Sequence, residues 1–174
     1  GGVCSRSCAF CNIGAGALSP LDPDEPARVA QAAAALNLEH VVITSVTRDD
    51  LADGGAAHFA ASILAVRAAL PKAVIEVLIP DFQGDEAALN VVLAAKPDIL
   101  NHNVETVPEL YPRIRPQADF VQSLELLRRA RAAGFISKSG LMVGLGEDDA
   151  AVRGVLEALA GIDCQIVTVG QYMR

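Results

Sequence analysis

Five short runs rich in β-branched residues alternate with stretches whose apolar residues recur three and four apart. That alternation narrows the fold more than any other feature of the chain. The runs are His40–Val46 (HVVITSV), Val74–Pro80 (VIEVLIP), Asp98–Val104 (DILNHNV), Ser139–Leu145 (SGLMVGL) and Gln165–Gly170 (QIVTVG). Between them, Val29, Ala32, Ala33 and Leu36 make one helical stripe. Phe59, Ile63, Val66 and Leu70 make a second, and Val152, Val155, Leu156 and Leu159 a third. The segment SLELLRRARAAG, ending at Gly134, has the Arg-rich last turn and terminal glycine of a helix C-terminus. Strands alternating with helices mean βαβ units and a parallel sheet. We expect strands apolar on both faces up to their C-terminal ends, where Thr44, Ser45, Asn103 and Glu105 appear. In parallel barrels and open parallel sheets that edge is where ligands bind. Five strands are too few to close an eight-stranded barrel, which leaves a partial barrel or a doubly wound sheet. A first strand is expected to precede Gly1 and to deliver the loop that follows to the same edge.

The 174 residues are one domain's worth of chain. We read residues 1–16 as a cysteine loop and 17–174 as β/α repeats. The chain opens on Gly1 rather than Met and closes on TVGQYMR directly after a strand, so we read it as a fragment. Apolar residues make up 52% of it, as close-packed helices on a sheet require. A net charge of −7 leaves no cationic face for nucleic acid or an anionic membrane. No apolar run approaches the roughly 18 residues that cross a bilayer.

Three of the four cysteines, Cys4, Cys8 and Cys11, fall within CSRSCAFC, spaced C-x3-C-x2-C. Structural zinc takes four ligands, usually in paired knuckles, and Cys164 is remote from the other three. A disulfide framework leaves one of the three unpaired, and nothing else points to secretion. A 4Fe–4S cubane fits better: three thiolates hold three irons, and the fourth iron stays open to an outside ligand.

With Phe10 before the last cysteine, the loop resembles the signature of the radical S-adenosylmethionine superfamily. GLMVGLGE, Gly140 to Glu147, resembles that superfamily's G-x-I-x-G-x-x-E pattern, with Met142 in the isoleucine place. The segments VVITSVTRDDLADGGAAHFA, IPDFQGD, NHNVETVPELYPRIRP, KSGLMVGLGE and VTVGQYMR are similar to the lipoyl synthase family almost from end to end. The resemblance implies a partial parallel (β/α)6-type barrel, the radical SAM core. It also implies a cluster on Cys4, Cys8 and Cys11 whose open iron chelates S-adenosylmethionine. The expected activity is insertion of two sulfur atoms, at C6 and C8 of a protein-bound octanoyl group. Phe10 and Met142 would pack on the adenine, Asn103 and Glu105 would take the ribose hydroxyls, and Thr44 and Ser45 would meet the methionine amino group. Arg115 and Lys138 would supply cations for its carboxylate. Implied partners are an octanoylated lipoyl carrier domain or glycine cleavage H protein, with flavodoxin or ferredoxin as electron donor. The implied compartment is a bacterial cytoplasm or an organelle matrix. An auxiliary cluster is expected in a full-length parent, on cysteines before the loop and a serine near the C-terminus; neither segment is in this sequence.

Plainer readings stand beside these. Asn103 suits a turn, and Glu105 the start of a helix. Arg115 and Lys138 suit solvated surface positions, and Glu147 a helix N-terminus. RDDLADGG reads as a loop whose aspartates cap the next helix and anchor Arg48. His40, His58 and His102 have no ligand spacing, and Cys164 reads as a small buried hydrophobe. Two further readings remain: another radical S-adenosylmethionine enzyme resembling biotin synthase, and a non-catalytic module whose cysteines hold zinc or a purely structural cluster.

Overall fold

A computed structural model describes residues 2–14 and 16–173. Gly1, Ala15 and Arg174, which the sequence reading places in the cysteine loop and at the end of the domain, lie outside the described residues. Helix α1 (Glu25–Ala35) precedes strand β1 (His40–Thr44). There follow α2 (Ala56–Ala69), β2 (Val74–Leu78), α3 (Glu86–Ala94), β3 (Ile99–Asn101), the single turn α4 (Tyr111–Ile114), α5 (Phe120–Ala132), β4 (Ile136–Val143), α6 (Asp149–Gly161) and β5 (Ile166–Gln171).

The strands pair in parallel in the order β1-β2-β3-β4-β5. Because the order never reverses, every right-handed crossover steps the same way and the helices collect on one face. That settles the choice between the two architectures: the sheet is part of a barrel, not doubly wound. The helix side carries the core, with Ile63, Val66, Ile75, Val77, Val92, Leu100, Leu127 and Leu159 all fully buried.

The register puts Thr44, Leu78, Asn101 and Lys138 side by side, and Val42, Glu76, Ile99 and Ile136 in the row two residues earlier. These side chains share the face away from the helices, the inside of the partial barrel. The expectation of strands apolar on both faces is therefore corrected. Glu76 sits in the middle of β2, only 2% exposed, and Lys138 lies within β4. A charge tolerates that depth only with partners, and Glu76 has three. Its Oε1 accepts from Lys138 Nζ at 2.8 Å and from Asn101 Nδ2 at 3.0 Å, and Oε2 meets His40 Nε2 at 3.3 Å.

Two boundaries also move. Ladder pairing in β3 stops at Asn101, and the chain rejoins β4 only through an isolated parallel bridge from Glu105 to Leu141. Strand β4 begins at Ile136, three residues before the sequence reading starts it. Helix α3 went unread. Its start is marked by Asp85, whose carboxylate accepts the amides of Ala87 and Ala88.

Candidate metal and cofactor site

The cysteine loop docks on the C-terminal edge of the sheet, and one arginine does most of the fastening. Ser5 donates its amide to Thr47 O, just beyond β1, and its Oγ accepts the amide of Asp49. Arg6 lies between Cys4 and Cys8 with its side chain 4% exposed. Its guanidinium donates Nε and Nη2 to Asp49 at 2.7 and 2.9 Å, and Nη1 and Nη2 to Asp81 at 2.8 and 2.6 Å. Two bidentate, charge-assisted pairs fix both the position and the rotation of the loop. Although burial works against charging all three groups, these bonds outweigh it. They hold Asp49 and Asp81 below the usual carboxylate range and push Arg6 up. On its other side the loop donates Ala9 N to Ile114 O at the end of α4, at 2.8 Å.

Arg115 follows immediately and joins the loop to the end of β3. Its Nη1 donates to Asn103 O at 2.9 Å and Val104 O at 3.1 Å, and the guanidinium lies over the Tyr111 ring. Arg115 is buried, and its Nε has no acceptor. Burial pushes the Cys8 thiol up, while the positive charge of Arg115 pulls it back.

Asn103 and Glu105 come together on the inner side of the same edge. A Cβ on Gly140 would stand 3.0 Å from Asn103 Oδ1 and 2.7 Å from Thr168 Oγ1, so only glycine allows that approach. Glu105 bridges to β4, donating to Gly140 O at 2.9 Å and accepting from Met142 N at 2.8 Å. Burial raises the Glu105 carboxyl, against the pull of Arg115 and a bond from Asn103. Neither residue starts a helix. Glu105 adopts φ +64°, an uncommon left-handed conformation for a non-glycine residue, and the bridge to β4 holds it there.

Thr44 and Ser45 are exposed at the end of β1, and Phe10 and Met142 are half-buried. Thr44 Oγ1 donates to Leu78 O at 3.0 Å, and Ser45 Oγ to Val46 O at 2.8 Å. Lys138 is not a free cation at the rim: Glu76 holds it on the inner face, two residues before Gly140.

Glu147 accepts from the amides of Gly144 and Leu145, holding the glycine turn, and Asp148 rather than Glu147 caps α6. In the 48–55 loop, Asp50 pairs with Arg48 and Asp53 accepts from Gly55 and Ala57, while Asp49 is given over to Arg6. His58 pairs with Glu25.

Three thiols in one loop at this edge are the donor set of a cubane that leaves one iron open. Among the described residues, no three His, Cys, Asp or Glu side chains converge to hold one metal ion. The fourth thiol cannot join them. Cys164 lies at the N-terminal edge of β5, half-buried, with Sγ beside Ser137 O and Ile166 O.

The profile of the radical SAM superfamily matches residues 1–159. The chain belongs to the radical SAM superfamily. Curated relatives add detail to the membership. A lipoyl synthase of Nitratidesulfovibrio vulgaris strain DP4 is 71% identical over 174 residues, covering all of this chain and 58% of that protein. A lipoyl synthase of Oleidesulfovibrio alaskensis is 71% identical across the whole chain and 60% of its own length. The chain thus spans about three-fifths of the relatives it matches. Among solved structures, Streptococcus suis SuiB bound to S-adenosylmethionine aligns with TM-score 0.78 at 11% identity, over 99% of this chain and 39% of that one. Methylornithine synthase (PylB) aligns with TM-score 0.76 at 18% identity, over 98% and 51%. At such identities these likenesses show the fold alone.

Proposed function

We propose that this chain carries the cluster- and cofactor-binding core of a lipoyl synthase, an enzyme that replaces one C–H bond at C6 and one at C8 of a protein-bound octanoyl group with C–S bonds. The observation that carries the reading is the three-thiol loop, fastened by Arg6 over the strand ends beside Asn103 and Glu105. Identity of 71% to lipoyl synthases supports that activity over others in the superfamily. Cys4, Cys8 and Cys11 would hold a 4Fe–4S cluster, which with S-adenosylmethionine supplies one-electron cleavage of a sulfonium and so the means to take hydrogen from an unactivated carbon.

The chain's own residues do the rest. Arg6 holds the loop in place, and Asn103 and Glu105 offer an amide and a carboxylate to ribose hydroxyls. Thr44 and Ser45 present hydroxyls to the methionine amino group, and Arg115 has an unused Nε for its carboxylate. Phe10 and Met142 give half-buried apolar surface to an adenine. Lys138, already paired with Glu76, is not assigned to the cofactor. The radical chemistry needs a cavity that excludes water from the reacting carbons, and the inside of the barrel is where the substrate would be enclosed.

The acyl carrier is a lipoyl domain or H protein, the reductant a flavodoxin or ferredoxin, and the setting a cytoplasm or organelle matrix. Among the described residues, no helix is long and apolar enough to cross a membrane. The sulfur atoms are assigned to no residue of this chain.

Anaerobic reconstitution with iron and sulfide tests the reading. The chain should turn brown and bind four irons, and S-adenosylmethionine should perturb the spectrum of the reduced cluster. Cys4→Ser, Cys8→Ser or Cys11→Ser should each abolish that perturbation. A perdeuterated octanoyl-lysyl peptide should pass deuterium to 5′-deoxyadenosine without forming lipoyl product. A colourless protein carrying one zinc would defeat the reading.

A further inference from the structure

Inside the partial barrel, a buried amide and an ammonium both donate to one Glu76 oxygen, and the amide's own acceptor is left without a donor. Asn101 is 6% exposed. Its Nδ2 donates to Glu76 Oε1, and since a carboxylate only accepts, that bond fixes the orientation of the amide. Asn101 Oδ1 is left buried with no donor. Lys138 pairs with Asn101 across the β3–β4 ladder, and spends one of its three protons on the same Glu76 oxygen. Glu76 therefore aims an acceptor and a donor from neighbouring strands at the same region of the inner face. A carboxylate ligand would satisfy Lys138, but would be repelled by Glu76 and could give nothing to Asn101 Oδ1. A secondary amide satisfies both, because its N–H and C=O are a donor and an acceptor fixed next to each other.

We propose that Asn101 Oδ1 and Lys138 Nζ form a subsite for the secondary amide of an N-acyl-lysine substrate: the amide N–H donates to Asn101, and its carbonyl accepts from Lys138. The proposal rests on the acyl-lysine reading above and adds where the linkage is held. Asn103 follows β3 by two residues and Gly140 lies two residues further along β4, both toward the rim. An acyl chain leaving the subsite in that direction delivers its later methylenes to the cofactor pocket. The lysyl side leaves toward β1, where Val42 is 56% exposed on the inner face. Glu76 acts as a positioning residue for both partners.

The test compares two peptides on the cluster-reconstituted chain with S-adenosylmethionine present, by titration calorimetry. One carries octanoyl on lysine through the amide; the other carries octanoyl through an ester to 6-hydroxynorleucine, which replaces the N–H with oxygen. The wild-type chain should bind the amide about tenfold tighter, since a site built around an N–H donor rejects an analogue lacking it. Asn101→Leu should bring the two affinities within about twofold of each other. Lys138→Met should weaken both alike and keep the preference, because both linkages retain the carbonyl. Equal wild-type affinities would overturn the subsite, leaving Oδ1 to a bound water, while the acyl-lysine reading stands. Binding of neither peptide would overturn that reading as well. The wild-type comparison decides even if Asn101→Leu fails to fold.

Discussion

Val41 and Val42 are neighbours on β1, yet the first is 5% exposed and the second 56%. A related contrast between the two faces runs through β2, β3 and β4, while β5 is exposed along its length. On the helix side lie Ile75, Val77, Leu100 and His102, the last with Nδ1 against Ile79 O at 2.8 Å and Nε2 against Ser123 Oγ at 3.0 Å. On the inner side lie Glu76, Asn101 and Lys138, whose polar valences reach across strands. One face holds the fold together, and the other is shaped for a ligand. The lesson is that a parallel sheet with all its helices on one side divides stability and chemistry residue by residue along each strand.

Substitutions that respect or break this division should differ in size. Leu100→Ala on the helix side removes a fully buried side chain. It should cost about 2–5 kcal/mol in urea unfolding, without altering the iron content of the reconstituted protein.

His102 should show the next largest effect, and only in acid. Burial, aided by the positive charge of Arg115, brings its imidazole down to about 4 from an ordinary 6.5. Between those values the unfolded chain takes up a proton that the folded chain refuses, so stability falls as pH drops through the window. The penalty is absent above about pH 6.5 and complete below about pH 4, where it reaches about 3 kcal/mol. Denaturant midpoints measured at pH 7, 6 and 5 should fall for the wild type, and His102→Gln should flatten that part of the slope.

Val42→Ala on the inner face should change stability by no more than about 0.5 kcal/mol. A large loss there would mean that the inner face is packed, and the contrast would fail.

The sequence revealed the fold through period: strands and helices stood out because helix-side residues such as Ile63, Val66 and Leu127 must be buried, and burial writes itself as spacing. The cysteines were equally plain, because ligation constrains residue type and separation within eight residues. What could not be read was pairing at a distance. Arg6 meets Asp49 and Asp81 across 43 and 75 positions, and nothing local distinguishes those aspartates from surface charges. Glu76 was hidden for a similar reason: one charge in a strand of β-branched residues looks like an outward-facing exception until Asn101 and Lys138 are seen around it. Lys138 was assigned to the rim because a strand's sequence does not say how far along it the ligand lies.

The four bonds of Arg6 have one more consequence. In zinc fingers the metal is what makes the polypeptide fold, and stripping it leaves a coil. Here salt links that involve no metal moor the loop that carries the three thiols, so the loop should hold its place whether or not a cluster is bound, and cluster-free and reconstituted samples should unfold at closely similar urea midpoints.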